Sequence, residues 1–196
     1  MNSSILGMRR VGCLLVSVAL LISLQARAED APWLLDARKV ASAVPLSLLD
    51  VLNTQIAKDG PASAVAVCKE KAPQMAKAAS EQTGWAIRRV SLRNRNPKAV
   101  PDAWELAALE DFDRRAAAGE KPATLEKYAV VEDAGRKEYR YMKALPVQPV
   151  CLACHGAADA LAPDVATIIH TLYPADKAVG YAVGQIRGAI TIRRSL

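Results

Sequence analysis

Pro149-Val150-Cys151-Leu152-Ala153-Cys154-His155-Gly156 is the stretch on which the reading of this chain turns. Two cysteines separated by two residues and followed at once by a histidine form the C-x-x-C-H attachment pattern of c-type haem. The spacing has a chemical reason. Thiols about one helical turn apart can add to the two vinyl groups along one edge of a porphyrin, and the adjacent imidazole then reaches the iron. By average composition the pattern arises by chance in roughly one chain per thousand of this length. Cys151 and Cys154 are thus candidates for covalent attachment of one haem c, with His155 as the proximal iron ligand. Two rival readings share the motif. A thioredoxin-like dithiol belongs at a helix N-terminus early in a βαβ unit; here the pair comes late, between Pro149 and Gly156. A structural zinc site needs four ligands, and only Cys68 and His170 remain to complete one.

Working outward, the N-terminus supports export. Arg9 and Arg10 precede an apolar run from Val11 to Leu24, and Ala26-Arg27-Ala28 supplies small residues at the cleavage positions. This is a secretory signal peptide, residues 1–28, cleaved after Ala28. The run is short for a membrane span, which takes roughly 20 residues. Cys13 lies at the start of the run, so it is not a lipidation site. The mature domain, residues 29–196, is long enough to hide about 70% of its unfolded surface. Formal net charge is +6 for the whole chain, and loss of the three signal arginines would lower it to +3. Nothing points to nucleic-acid binding, and no second stretch reads as a membrane span. The expected location is the periplasm or another exported compartment, where c-type attachment takes place. Cys68, Cys151 and Cys154 remain after cleavage, an odd number that a pure disulfide framework would not leave.

The intervening sequence reads as α+β. Asp36 to Asp59 carries Leu49, Leu52 and Ile56 on one helical face. Gly60-Pro61 ends it and starts a second helix in which Val65, Cys68, Ala72, Met75 and Ala79 recur at three and four. Pro73 predicts a kink just after Cys68. Trp85 to Leu92 reads as a strand, followed by the polar loop Arg93-Asn94-Arg95-Asn96-Pro97. Pro101-Asp102 opens a helix through Leu106, Leu109 and Phe112, ended by Gly119. Lys127–Glu132 and Arg136–Leu145 read as paired strands. Pro163 begins a short helix with Val165, Ile168, Ile169 and Leu172 on one stripe, and Gly180 to Ile192 reads as a last hairpin. Helices first, then interleaved strands, suggest an antiparallel sheet.

A second axial ligand is left open by the residues themselves. His170 falls off the apolar stripe of its helix and reads as exposed. Met75 and Met142 are thioether candidates, although Met75 shares the Cys68 stripe and suits core filling. Cys68 fits a buried structural cysteine as well as a ligand. Arg95, Asn96 and Arg187 are candidates for propionate or loop contacts, because a guanidinium matches a carboxylate bidentately. Trp85, Trp104, Tyr139 and Tyr141 suit core or pocket packing.

Several separated motifs form an ordered set. They are Cys68-x-x-x-Ala72-Pro73, Arg89-x-Ser91, Arg95-Asn96-Pro97, Pro101-x-x-Trp104-Glu105, the late Cys151-x-x-Cys154-His155-Gly156, Tyr173-Pro174 and Gly180-Tyr181-x-x-Gly184-x-x-Arg187-Gly188-Ala189. This set resembles the family of single-haem c-type proteins with a PAS-like fold, from about Asp36 to Ile192. That family occurs as soluble exported proteins and as the sensing portion of some bacterial signalling receptors. The resemblance implies a five-stranded antiparallel sheet with flanking helices. It also implies iron held between the C-x-x-C-H histidine and a cysteine of an N-terminal helix, a position matched by Cys68. His170 has no place in that pattern.

These readings converge on one-electron redox work outside the cytoplasm. One form is a redox or gas sensor, in which a diatomic ligand replaces Cys68. Another is an electron carrier with a redox partner protein. From a different class come a haem enzyme such as a peroxidase and a thiol–disulfide oxidoreductase. The chain lacks an evident distal His–Arg pair for peroxide chemistry, so an enzyme is the less favoured reading. A thiolate opposite imidazole favours ferric iron and a low potential.

Overall fold

The structure, a computed structural model, describes residues 30–133 and 135–196. The expected signal peptide and its cleavage site lie outside the described residues. The first element of the described residues is a 52-residue helical element, α1 (Pro32–Thr83). Pro32 stands in the first turn, where its missing N–H costs nothing. Gly84, at φ 72°, closes the other end and donates to the Ser80 carbonyl at 2.9 Å.

The break within α1 falls at Gly60, with φ 79° and ψ 170°, and not at Pro73. The backbone dihedrals stay helical through Pro73, so the helix is not broken just after Cys68. Pro73 leaves the carbonyl four residues back, at Lys69, without a donor. Lys69, Glu70 and Lys71 are exposed, so water can supply the partner. Gly60 is different in kind, because its positive φ is a conformation that other residues adopt only under strain. An 18-residue window of α1 has mean hydropathy 1.3 and passes for a membrane span by length and composition alone. No second stretch long enough to span a membrane was expected from the sequence, and 11% of this window is buried.

Four strands form one antiparallel sheet: β1 (Ala86–Val90), β2 (Glu126–Asp133), β3 (Arg136–Pro146) and β4 (Ile186–Ser195), in the order β1-β4-β3-β2. The α+β class holds, while the sheet has four strands among the described residues instead of the expected five. The missing strand belongs to the hairpin expected over Gly180–Ile192. Gly180 and Gly184 have φ of 76° and 87°, which turns the chain out of extended geometry. The N–H groups of Gly180 and Tyr181 then bond to the carbonyls of Gly156 and His155, not to a strand. Only β4 remains, paired with β1 and β3 on its two sides.

Alternation along the strands sends side chains to two cores. One face carries Val90, Met142, Ala144 and Ala189 against Leu109 and Phe112 of α2 (Ala103–Ala117). The other carries Tyr141, Ile190 and Ile192 against Leu34, Ala37 and Ala41 of α1. Each fully buried large side chain contributes roughly 1.5–3 kcal/mol. Asp102 and Glu105 cap α2 reciprocally, each accepting from the other's backbone N–H at 2.9 Å. A third cluster lies beyond the sheet. There Val65, past the Gly60 break, packs on Val165, Ile169 and Tyr173 at α4 (Pro163–Leu172). This cluster lays the Cys68 segment of α1 beside the C-x-x-C-H motif.

Candidate functional site

The motif leaves β3 through a clamp. Val147 donates to the Gln185 carbonyl at 2.8 Å and accepts from Gly184 at 2.9 Å. A tight turn at Pro149–Cys151 then leads into the single helical turn α3 (Leu152–His155). The expected loop is thus a wound segment, which sets the two thiols about one turn apart. Cys151 packs beside Val147 and Tyr181, and Cys154 beside Val65 and Val165, so the motif bridges two apolar clusters. Gly156 follows because a Cβ there would stand 2.7 Å from the Leu152 carbonyl oxygen. Its own carbonyl accepts from Gly180 at 2.6 Å, and that of His155 accepts from Tyr181 at 2.9 Å.

The imidazole of His155 is oriented from several sides. Its Nδ1 stands 2.6 Å from the Ala178 carbonyl oxygen. A carbonyl only accepts, so Nδ1 carries the proton and the lone pair is left on Nε2. This is the tautomer of a histidine whose second nitrogen is free to ligate a metal. The Nε of Arg187 lies 3.3 Å from Nδ1 and 3.4 Å from Nε2, hence over the ring and along neither lone pair. Tyr181 meets the ring edge-on, with centroids 6.4 Å apart. Burial, then the nearby guanidiniums of Arg187 and Arg95, push the imidazole pKa far below its ordinary range. The neutral, metal-binding form is therefore built in.

Arg95 and Arg187 are both engaged by the protein. Arg95 donates to the Cys154 carbonyl at 2.6 Å and pairs with Asp176 at 3.0 Å; both side chains are 9% exposed. Asp176 in turn accepts from the Ala178 N–H at 2.9 Å. Arg95, Asp176 and Ala178 thus form a chain of bonds that ends on Nδ1 of His155. Arg187 donates to Ser91 Oγ at 3.0 Å and to the Arg93 carbonyl at 3.2 Å. Asn96 turns its loop by accepting from Lys98 at 2.9 Å.

Cys68 is one turn beyond Val65 on α1, with a free, half-buried thiol. Burial raises its pKa against the pull of Arg89, Arg95 and Arg187, and Cys151 is near enough to add to the rise. Burial raises that of Cys154 in the same way. The other ligand candidates are placed apart. Met142 is fully buried in the α2-side core, His170 is exposed on α4, and Met75 is half-buried about two turns past Cys68. Among the described residues no three His, Cys, Asp or Glu side chains converge as a metal site.

Arg89 is the residue that reading by motif missed as a site residue. On β1 it alternates with Ile87 and Ser91, so it lies on the sheet face that also carries Arg187 and His155. Its side chain is exposed, yet the protein packed around it lowers its pKa, with Cys68, Cys151 and Tyr181 near enough to pull it back up. Among the described residues it has no ion-pair or hydrogen-bond partner. Strand alternation in Ile87-Arg88-Arg89-Val90-Ser91 was the available signal. Arg88 points the other way, to Glu105.

These residues suit a covalently held haem: two free thiols on one turn, a neutral imidazole with Nε2 available, a third thiol on the facing helix, and a guanidinium without a partner. The Tll0287-like family model matches residues 22–195. The crystal structure of the cyanobacterial heme-protein Tll0287 is similar, with a TM-score of 0.63 and 24% identity, covering 84% of this chain and 95% of that one. No curated protein matches the chain.

Proposed function

From the premise that this chain belongs to the Tll0287-like family, we propose that it is an exported haem-binding protein. It holds one c-type haem and serves redox or small-ligand sensing, or one-electron transfer. The observation that carries the reading is the Ala178 carbonyl 2.6 Å from Nδ1 of His155, which leaves Nε2 as the free lone pair beside two unpaired thiols. The cyanobacterial heme-protein of similar fold supports it, as does an antiparallel sheet flanked by helices, which we read as PAS-like.

Cys151 and Cys154 would hold the haem covalently, His155 would bind the iron through Nε2, and Cys68 on the facing helix would be the second iron ligand. When bound, haem supplies a one-electron redox centre and a coordination position. Arg89 is the side chain placed to meet a propionate, since a guanidinium without a partner gains charge-assisted bonds there. Arg95 and Arg187 act behind the motif, fixing the imidazole. A half-buried thiol as the second ligand would be open to replacement by a gas such as carbon monoxide, which would suit sensing over simple electron carriage.

The test is the absorption spectrum of protein made with the c-type maturation machinery, oxidised and reduced. Wild type, Cys68→Ala and the double change Cys151→Ala with Cys154→Ala are compared. We expect haem that resists acid extraction in wild type, an altered ferric spectrum in Cys68→Ala, and no covalent haem in the double variant. Absence of haem from wild type refutes the reading. A ferric spectrum unchanged by Cys68→Ala refutes the ligand assignment alone.

A further inference from the structure

A cavity shares the Tyr181 side chain with the His155 site. It has a volume of about 700 Å³ and is walled by α2, the loop after β1 and the segment leading into β4. None of Cys68, Cys151, Cys154 and His155 lines it. A volume of this size is in the range of small-molecule sites. Its lining divides by chemistry. Leu109, Pro122 and Ile186 give an apolar wall, while Arg93 and Asp113 bring opposite charges to the same space.

The two charges do not satisfy each other. They are near enough for Arg93 to lower the Asp113 pKa, while burial raises it. Among the described residues the Asp113 carboxylate has no hydrogen-bond or ion-pair partner. Arg93 donates from one nitrogen to the Val179 carbonyl at 3.1 Å and lies over the Tyr181 ring at 3.6 Å. Its remaining N–H groups are left over, since a guanidinium carries five. A cation and an exposed anion lining one cavity without pairing match a molecule that brings its own anion and cation, close together, on an apolar body.

We propose that this cavity binds a zwitterionic small molecule of the apolar α-amino-acid class, its carboxylate on Arg93, its ammonium on Asp113 and its side chain against Leu109 and Ile186. Tyr181 lines this cavity and also stands edge-on to His155. Occupancy is therefore in contact with a group that touches the imidazole. The binding itself does not depend on the haem reading.

Isothermal titration of the purified protein with L-phenylalanine, L-tryptophan, L-leucine and L-methionine tests the proposal. At least one is expected to bind saturably at millimolar concentration or below. L-Phenylalaninamide, without the carboxylate, and 3-phenylpropionate, without the ammonium, are expected to bind at least about tenfold more weakly than L-phenylalanine where that probe binds, the loss of one charge-assisted contact. Asp113→Asn is expected to weaken the amino acid by a similar factor. Asp113 is exposed on α2, so the variant should fold, and circular dichroism checks this. Failure of all four amino acids to bind, or equal binding of 3-phenylpropionate and L-phenylalanine, overturns the proposal. So does an Asp113→Asn protein that binds as tightly as wild type. Haem content, read from the absorption spectrum of the same samples, is scored separately.

Discussion

Replacing Asp176 by alanine should uncouple the loop that holds the imidazole and lower stability by roughly 3–5 kcal/mol, the usual cost of removing one partner of a buried ion pair. The magnitude follows from the geometry. Arg95 and Asp176 are each 9% exposed, so solvent screens the pair little. The Arg95 Nε is already buried without a partner. Without the carboxylate, the guanidinium keeps only the carbonyls of Cys154 and Ala178, at 2.6 and 3.5 Å. The Ala178 N–H loses its 2.9 Å acceptor as well. For a domain of this size each kcal/mol moves the melting temperature by about 2–4 °C, which gives a fall of roughly 6–20 °C. Asp176→Asn keeps an acceptor for Ala178 and should cost less. Thermal and urea unfolding of wild type, Asp176→Ala, Arg95→Met and the double variant form a cycle. A coupling of more than about 1 kcal/mol is expected for a contacting pair. If Asp176→Ala costs under about 1 kcal/mol, as exposed pairs do, or the coupling vanishes, the network does not brace His155 as argued.

Three further outcomes follow from other parts of the fold. Gly188→Ala should destabilise by about 3 kcal/mol or more in urea unfolding, because φ is 152° and the new Cβ would stand 2.3 Å from the Val90 carbonyl oxygen. An effect below about 1 kcal/mol would mean that β1 and β4 separate freely. Glu105→Ala should cost roughly 3–5 kcal/mol, since the carboxylate is buried among Arg88, Arg140 at 3.4 Å and the Thr191 hydroxyl at 3.0 Å. Unfolding as soluble and as late as wild type would contradict this. Burial alone would raise the Glu126 pKa, but hydrogen bonds from Arg38 and Tyr141 outweigh it and hold the carboxyl below its usual range. A depressed folded pKa stabilises above the unfolded value of about 4.3 and is lost as pH falls through the folded value. Urea midpoints should therefore drop below about pH 4.5 more steeply in wild type than in Glu126→Gln, and parallel curves would discount the pair.

What could be read from sequence was local. Cys151, Cys154 and His155 are neighbours in the chain, and a single turn of helix is enough to place them. The capping pair Asp102 and Glu105, three residues apart, was legible as the start of α2 for the same reason. The break in α1 at Gly60-Pro61 was legible, whereas the second break or kink expected near Pro73 was not found as a break, because the two residues act through different physics. A proline costs one hydrogen bond, which water repairs on an exposed face, whereas the Gly60 backbone leaves helical space altogether. The first arm of the expected tail hairpin did not form, because the carbonyls of His155 and Gly156 capture the N–H groups of Tyr181 and Gly180, while the second arm is β4.

The candidate site shows the same division more sharply. Arg95 was picked out as a propionate partner from its charge and its loop. Its partner Asp176 lies 81 residues away, and nothing periodic links the two. Arg89 was passed over because it sits in a strand, where a charge usually faces water. Only the pairing of β1 with β4 puts it on the face of Arg187 and His155. The decisive contact is a backbone carbonyl, which carries no sequence signal at all. A motif states which atoms are covalently adjacent. The fold sets the Ala178 carbonyl against Nδ1, and that contact determines which nitrogen of His155 is left to bind a metal.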